Sequence, residues 1–154
     1  MNEREYYELI RQWARDRNLI EGSTPAAQFT KLVEEMGEIS EDPLDGIGDS
    51  LVVMCIICAM KNIKLEDLMA VEFDDKSTFP LKALGYLAAD IARNRDITRS
   101  MMNLKYTIHN YCWFYRVKVV DALDQAWNEI KDRKGKMVNN VFVKEADLEK
   151  TEEV

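Results

Sequence analysis

Ten consecutive residues, Leu51 to Met60 (LVVMCIICAM), are apolar without exception. A surface helix carries one apolar stripe and a half-buried strand alternates, so a run with no polar face in either period belongs in an interior. It is half the length of a membrane span, which needs roughly 20 such residues. The run therefore predicts a core helix that other elements must surround. The rest of the chain supplies those elements as helices: few glycines, three prolines and 32% charged residues in 154 favour a helical globular protein. The expected fold is an all-α bundle in a single domain, residues 1–154, with a core of its own.

Just before the run lies the most acidic stretch of the chain. Lys31 to Asp49 (KLVEEMGEIS, then EDPLDGIGD) holds seven carboxylates. Glu34 and Glu38 are four apart, Glu35 and Glu38 three apart, and Asp45 and Asp49 four apart, so each set shares a helical face. Asp42 followed by Pro43 reads as an N-cap and a first-turn proline, which ends one helix and opens the next. A reversal there sets Glu38 opposite Asp45 or Gly46, and Glu35 opposite Asp49. Converging carboxylates repel and lose hydration unless a hard divalent cation neutralises them, and oxygen-only ligands suit Mg²⁺ or Mn²⁺. The competing reading is a solvated acidic face, with Asp42 and Asp45 serving only to cap and charge a helix start.

KLVEEMGEIS with DGIGDSLVVM resembles the motif pair of the MazG-like, all-α nucleoside triphosphate pyrophosphohydrolases, EExxE followed after a spacer by ExxD. The flanks QWARDRNLIEGSTPAAQFTKL and AWNEIKDRKGKMVNNVFVKEADL are similar to phage-type members. The middle, about residues 62–115, matches only loosely. The likeness implies a metal-dependent hydrolase that splits a nucleoside triphosphate into monophosphate and pyrophosphate, and that assembles as a homodimer or homotetramer. It implies Glu35, Glu38, Asp45 and Asp49 as metal ligands, with Glu34 as a carboxylate that orients water or takes its proton. Gly46 stands where the family usually has glutamate, and Asp45 is the nearest acid. A nucleotide-binding or regulatory module without efficient turnover is the reading that this departure favours, and a purely structural helical protein is a third.

Other helices and candidate ligands follow from spacing. Glu3 to Asp16 suits a first helix with Tyr6, Leu9, Ile10 and Trp13 on its apolar face; the family likeness adds a base-stacking role for Trp13. Gly22-Ser23-Thr24-Pro25 announces the next helix, whose buried stripe is Phe29, Leu32, Val33, Met36 and Ile39, with Gln28 and Lys31 outside it. Lys31 suits either an ion pair with Glu35 or a phosphate contact. LEDLMAVEF suggests a short helical turn, DDKST a loop, Leu81 to Asn94 a helix, and Asp96 or Thr98 the start of another. The last helix, about Val117 to Lys134, buries Val120, Leu123, Trp127 and Ile130 and sets Asp124, Asn128 and Lys131 on a polar flank. The resemblance selects Asn128 and Lys131, and adds Arg133, as substrate-binding groups, together with Gln28 and Lys31. Gly135 is expected to stop that helix, and MVNNVFV to form a short C-terminal β-hairpin about Asn139 and Asn140.

A net charge of −7 argues against a general nucleic-acid-binding surface. The charged opening MNERE does not suit a signal peptide, and three cysteines suit reduced thiols, so a cytoplasmic protein of a bacterium or an infected host is expected, with no membrane partner. Cys55 and Cys58 form a CxxC inside the apolar run and read as packing. His109 has no metal-ligand spacing around it.

Overall fold

The structure is a computed structural model, and it describes residues 1–72, 80–138 and 141–144. The DDKST segment, the Asn139-Asn140 turn and the acidic tail lie outside the described residues. Seven α-helices are described: α1 (Glu3–Asp16), α2 (Leu19–Gly22), α3 (Pro25–Glu38), α4 (Pro43–Met60), α5 (Pro80–Ala92), α6 (Thr98–Tyr115) and α7 (Val119–Ile130). A 3₁₀ turn covers Leu65–Asp67. Past α7, β1 (Gly135–Val138) and β2 (Val141–Lys144) run antiparallel, with Gly135 opposite Lys144.

α4 is the axis. By length and composition it could cross a membrane, but its residues from Gly46 to Cys58 are buried except Asp49, packed against α1, α2, α3, α6 and α7. The caps follow the expected chemistry: the Thr24 hydroxyl accepts from Ala27 N at 3.1 Å, and Asp42 Oδ1 accepts from Asp45 N at 3.3 Å, each before a first-turn proline. Asn2 and Glu5 form a reciprocal capping box at α1.

Four expectations need correction. Leu9, Val33 and Val120, placed on buried stripes by spacing, are exposed, while Tyr7, Arg11 and Ala14 take the inner face of α1. Gln28, expected outside the stripe of α3, is buried. α7 ends at Ile130 rather than at Gly135, so Lys131 is its C-cap and Arg133 lies beyond it. Finally, an extra turn of helix, α2, precedes Thr24; Asn18 enables it by adopting a left-handed conformation, φ 56°.

A second polar centre sits at the 3₁₀ turn. Arg11 donates two bonds to Glu66, 2.7 and 3.2 Å, and both side chains are buried. Lys105 Nζ, also buried, donates to the Leu65 and Leu68 carbonyls at 2.8 Å each. The Leu65 carbonyl also accepts from Leu68 N at 3.1 Å, so the buried ammonium adds a charged donor to the turn and finds its own hydrogen bonds there.

Candidate metal and nucleotide site

Two glycines decide how closely the helices around the acidic stretch approach. A Cβ on Gly46 would lie 2.8 Å from Ile39 Cα and 2.9 Å from Ile39 N, so α3 and α4 cross there with no room for a side chain. The position at which the resemblance expects glutamate cannot hold one in this fold. A Cβ on Gly48 would overlap the Ala122 carbonyl oxygen, so α7 is pressed against α4 at the same level. The consequence is that α7, and not only α3, faces the acids of α4.

Asp45, Asp49 and Glu129 of α7 each offer an oxygen within 4.8 Å of the others. Gln125 Nε2 donates to Asp45 Oδ1 at 3.2 Å. Among the described residues, no lysine or arginine forms an ion pair with any of the three. The half-buried Asp49 carboxyl is pushed up to about 7, first by burial and then by Asp45, Glu35 and Glu129; Lys31 only partly offsets this. Burial also raises Glu35, helped by Glu38 and Asp45, and raises Glu129, helped by Asp45.

Beside the acids opens a cavity of about 310 Å³. Leu19, Val52, Val53, Ile56 and Ile130 give it apolar walls, while Trp13, Gln28, Lys31, Glu35, Asp49 and Arg133 bring aromatic, amide, cationic and anionic groups to the same space. The Gln28 amide is held by a bond to Ser23 Oγ at 3.1 Å, both residues being buried. The Arg17 guanidinium lies 4.7 Å from the Trp13 ring centre and its Nε donates to the Arg133 carbonyl at 2.6 Å, tying the rim of α1 to the segment after α7.

Of the residues singled out from sequence, Trp13, Gln28, Lys31, Glu35, Asp49 and Arg133 thus line one cavity, and Asp45 adjoins it through Asp49. Glu34 and Glu38 are exposed on α3, and neither lines that cavity. Asn128 and Lys131 are exposed on α7 and also stay outside it; Asp124, on the same flank, accepts a 2.6 Å bond from the Tyr6 hydroxyl. Sequence reasoning missed Glu129 and Gln125. Their one signal is the pairing of Gly48 with Ala122 and Ala126, small residues that let two helices close up.

No known family profile matches the chain, and no solved structure matches it. A stretch of 62 residues is 47% identical to a protein of Haemophilus phage HP1 described as an uncharacterized 18.2 kDa protein in the rep-hol intergenic region. The match covers 35% of this chain and 38% of that protein.

Proposed function

We propose that this chain is a metal-dependent hydrolase that converts a nucleoside triphosphate to the monophosphate and pyrophosphate. One observation carries the reading: carboxylates that form no ion pair among the described residues stand at the edge of a cavity that also offers an indole, a fixed amide and two cations. Asp45, Asp49 and Glu129, with Glu35 adjoining, are oxygen donors of the kind Mg²⁺ or Mn²⁺ takes, and their mutual repulsion is what such an ion relieves. When bound, that ion supplies charge neutralisation for phosphate oxygens and a more acidic water.

The chain's own side chains do the rest. Lys31 and Arg133 offset the negative charge of the polyphosphate and of the pyrophosphate as it leaves. Trp13 presents an aromatic wall for a base, and the immobilised Gln28 amide offers directional hydrogen bonding beside it. Glu34 takes the part of orienting water or accepting its proton, while Glu38, exposed on α3 and outside the acid cluster, is left out of the ligand set. Asn128 and Lys131 serve phosphates or sugar from the rim. The same proposal includes the finer fold assignment, a bundle of the all-α pyrophosphatase type closed by a short C-terminal hairpin.

Gly46 favours a second reading, a nucleotide-binding module without efficient turnover, because the glutamate expected there has no room. Pyrophosphate release over a panel of ribo- and deoxynucleoside triphosphates with Mg²⁺ separates them. The hydrolase turns over at least one nucleotide, and Asp49→Asn lowers the rate by about 100-fold or more, the scale of a lost transition-state electrostatic partner. Nucleotide binding without metal-dependent release supports the module. A melting temperature that neither nucleotide nor Mn²⁺ shifts reduces the chain to a structural bundle.

A further inference from the structure

Three walls of the cavity come from segments far apart in the chain: Trp13 from α1, Arg133 from the stretch after α7 and Met137 from β1. One residue touches all three without lining the cavity itself. Arg17, half-buried at the C-cap of α1, lays its guanidinium over the Trp13 ring, 4.7 Å from the centre, and donates from Nη1 to the Trp13 carbonyl at 3.2 Å. Its Nε donates to the Arg133 carbonyl at 2.6 Å, 116 residues away, and its own carbonyl accepts from Met137 N at 3.2 Å. An arginine that only closed a helix end needs no more than the Trp13 carbonyl and the field of the helix dipole. Arg17 reaches well past that end.

The planar fork makes this reach possible, because Nε and Nη1 point in fixed, separate directions while the face of the same group stacks on the indole. Among the described residues Arg17 forms no ion pair, so no carboxylate draws the guanidinium off the ring. Gly22 completes the seat of β1: a Cβ there would lie 3.0 Å from Met137 Cβ, so a side chain at this position crowds the strand where it meets α2. Since the guanidinium covers one face of the indole from outside the cavity, the ring turns another side inward and is held so before any ligand arrives.

We propose that Arg17 is a positioning residue, a clamp that joins Trp13, the Arg133 segment and β1 and keeps an aromatic wall set for a flat, ring-bearing ligand. Naming that ligand a nucleotide rests on the hydrolase reading; the clamp itself does not. Arg17 then serves the base end of the site, and fixing the wall in advance spares the ligand the cost of ordering it. Metal and polyphosphate are left to the carboxylates, Lys31 and Arg133.

Hydrogen exchange on the ligand-free protein tests the clamp, and calorimetry in Mn²⁺ with α,β-imido nucleoside triphosphates and with inorganic tripolyphosphate tests what it serves. In Arg17→Ala, the amides from Arg133 to Met137 should exchange at least about tenfold faster, with those of α3 and α4 unchanged. Affinity for the nucleotide analogue should fall by about tenfold more than affinity for tripolyphosphate, the scale of re-ordering one or two side chains. Arg17→Lys keeps the charge without the fork and should show both losses. Unchanged exchange in Arg17→Ala overturns the proposal. So does an equal loss for the two probes, or full recovery in Arg17→Lys, either of which makes Arg17 a charge and not a clamp. A wild type that binds neither probe removes the nucleotide reading, and the exchange result then decides the clamp by itself.

Discussion

Glu66, on the 3₁₀ turn, and Asp49, on α4, are carboxylates that one bundle withdraws from water, yet among the described residues only Glu66 of the two forms an ion pair. Burial pushes Glu66 up, but the bidentate Arg11 guanidinium outweighs it and holds the carboxyl below its ordinary value. Burial pushes Asp49 up as well, and its neighbours Asp45, Glu35 and Glu129 push it further, to about 7. The first arrangement is complete within the chain. The second is held in place by helix packing at Gly46 and Gly48, and among the described residues Lys31 and Arg133 only partly offset its charge without forming an ion pair.

The contrast can be broken first at Arg11. Arg11→Ala strands Glu66 in the interior, and the loss expected in urea unfolding is about 3–5 kcal/mol, the usual cost of breaking a buried pair from one side. A loss below about 1 kcal/mol would mean that Glu66 reaches water and that the two regions differ less than their surroundings suggest.

Gly48→Ala probes the other region through its scaffold. The new methyl overlaps the Ala122 carbonyl, so α4 and α7 must separate, at about 1–3 kcal/mol for overpacking. Separation draws Glu129 away from Asp45 and Asp49, and Mn²⁺ binding by calorimetry should weaken with it. Full-strength binding in a destabilised Gly48→Ala protein would remove Glu129 from the site.

The smallest effect sharpens the comparison by sign. Asp49 binds its proton more tightly in the folded chain than in the unfolded one, so its stabilising contribution is present below about pH 4 and is lost as pH rises through about 7. Glu66 behaves oppositely: its contribution is present above the ordinary glutamate range and is lost as pH falls through its lowered value. In chelator-treated protein, the urea midpoint should therefore decline between pH 5 and 8, where only Asp49 titrates of the two. Asp49→Asn should flatten that decline, and Mn²⁺ should reverse it in wild type but not in the variant.

Local signals in the sequence carried a large part of this arrangement. The apolar run at Leu51 to Met60, the caps at Thr24 and Asp42 and the acid spacing of α3 and α4 are properties of neighbours along the chain, and they placed the core helix and the hairpin beside the site. Leu9, Val33 and Val120 misled because a three-and-four spacing defines a face without stating how wide the covering helix is. Gln28 misled in the other direction, since a polar residue enters the interior when a partner such as Ser23 satisfies it. Glu129 was illegible because its role depends on α7 meeting α4, a contact between residues about eighty positions apart that no local pattern encodes. Gly46 was legible as a departure, but not as the reason for it.

The central claim is that acids from α4 and α7 share a divalent cation. Titration calorimetry of chelator-treated protein with Mn²⁺ at pH 7.5 tests it without any substrate. Wild type should bind in the micromolar to submillimolar range, and Asp49→Asn and Glu129→Gln should each bind at least about tenfold more weakly, a difference of about 1.4 kcal/mol. No heat of binding in wild type, or binding that both variants retain unchanged, would contradict the account.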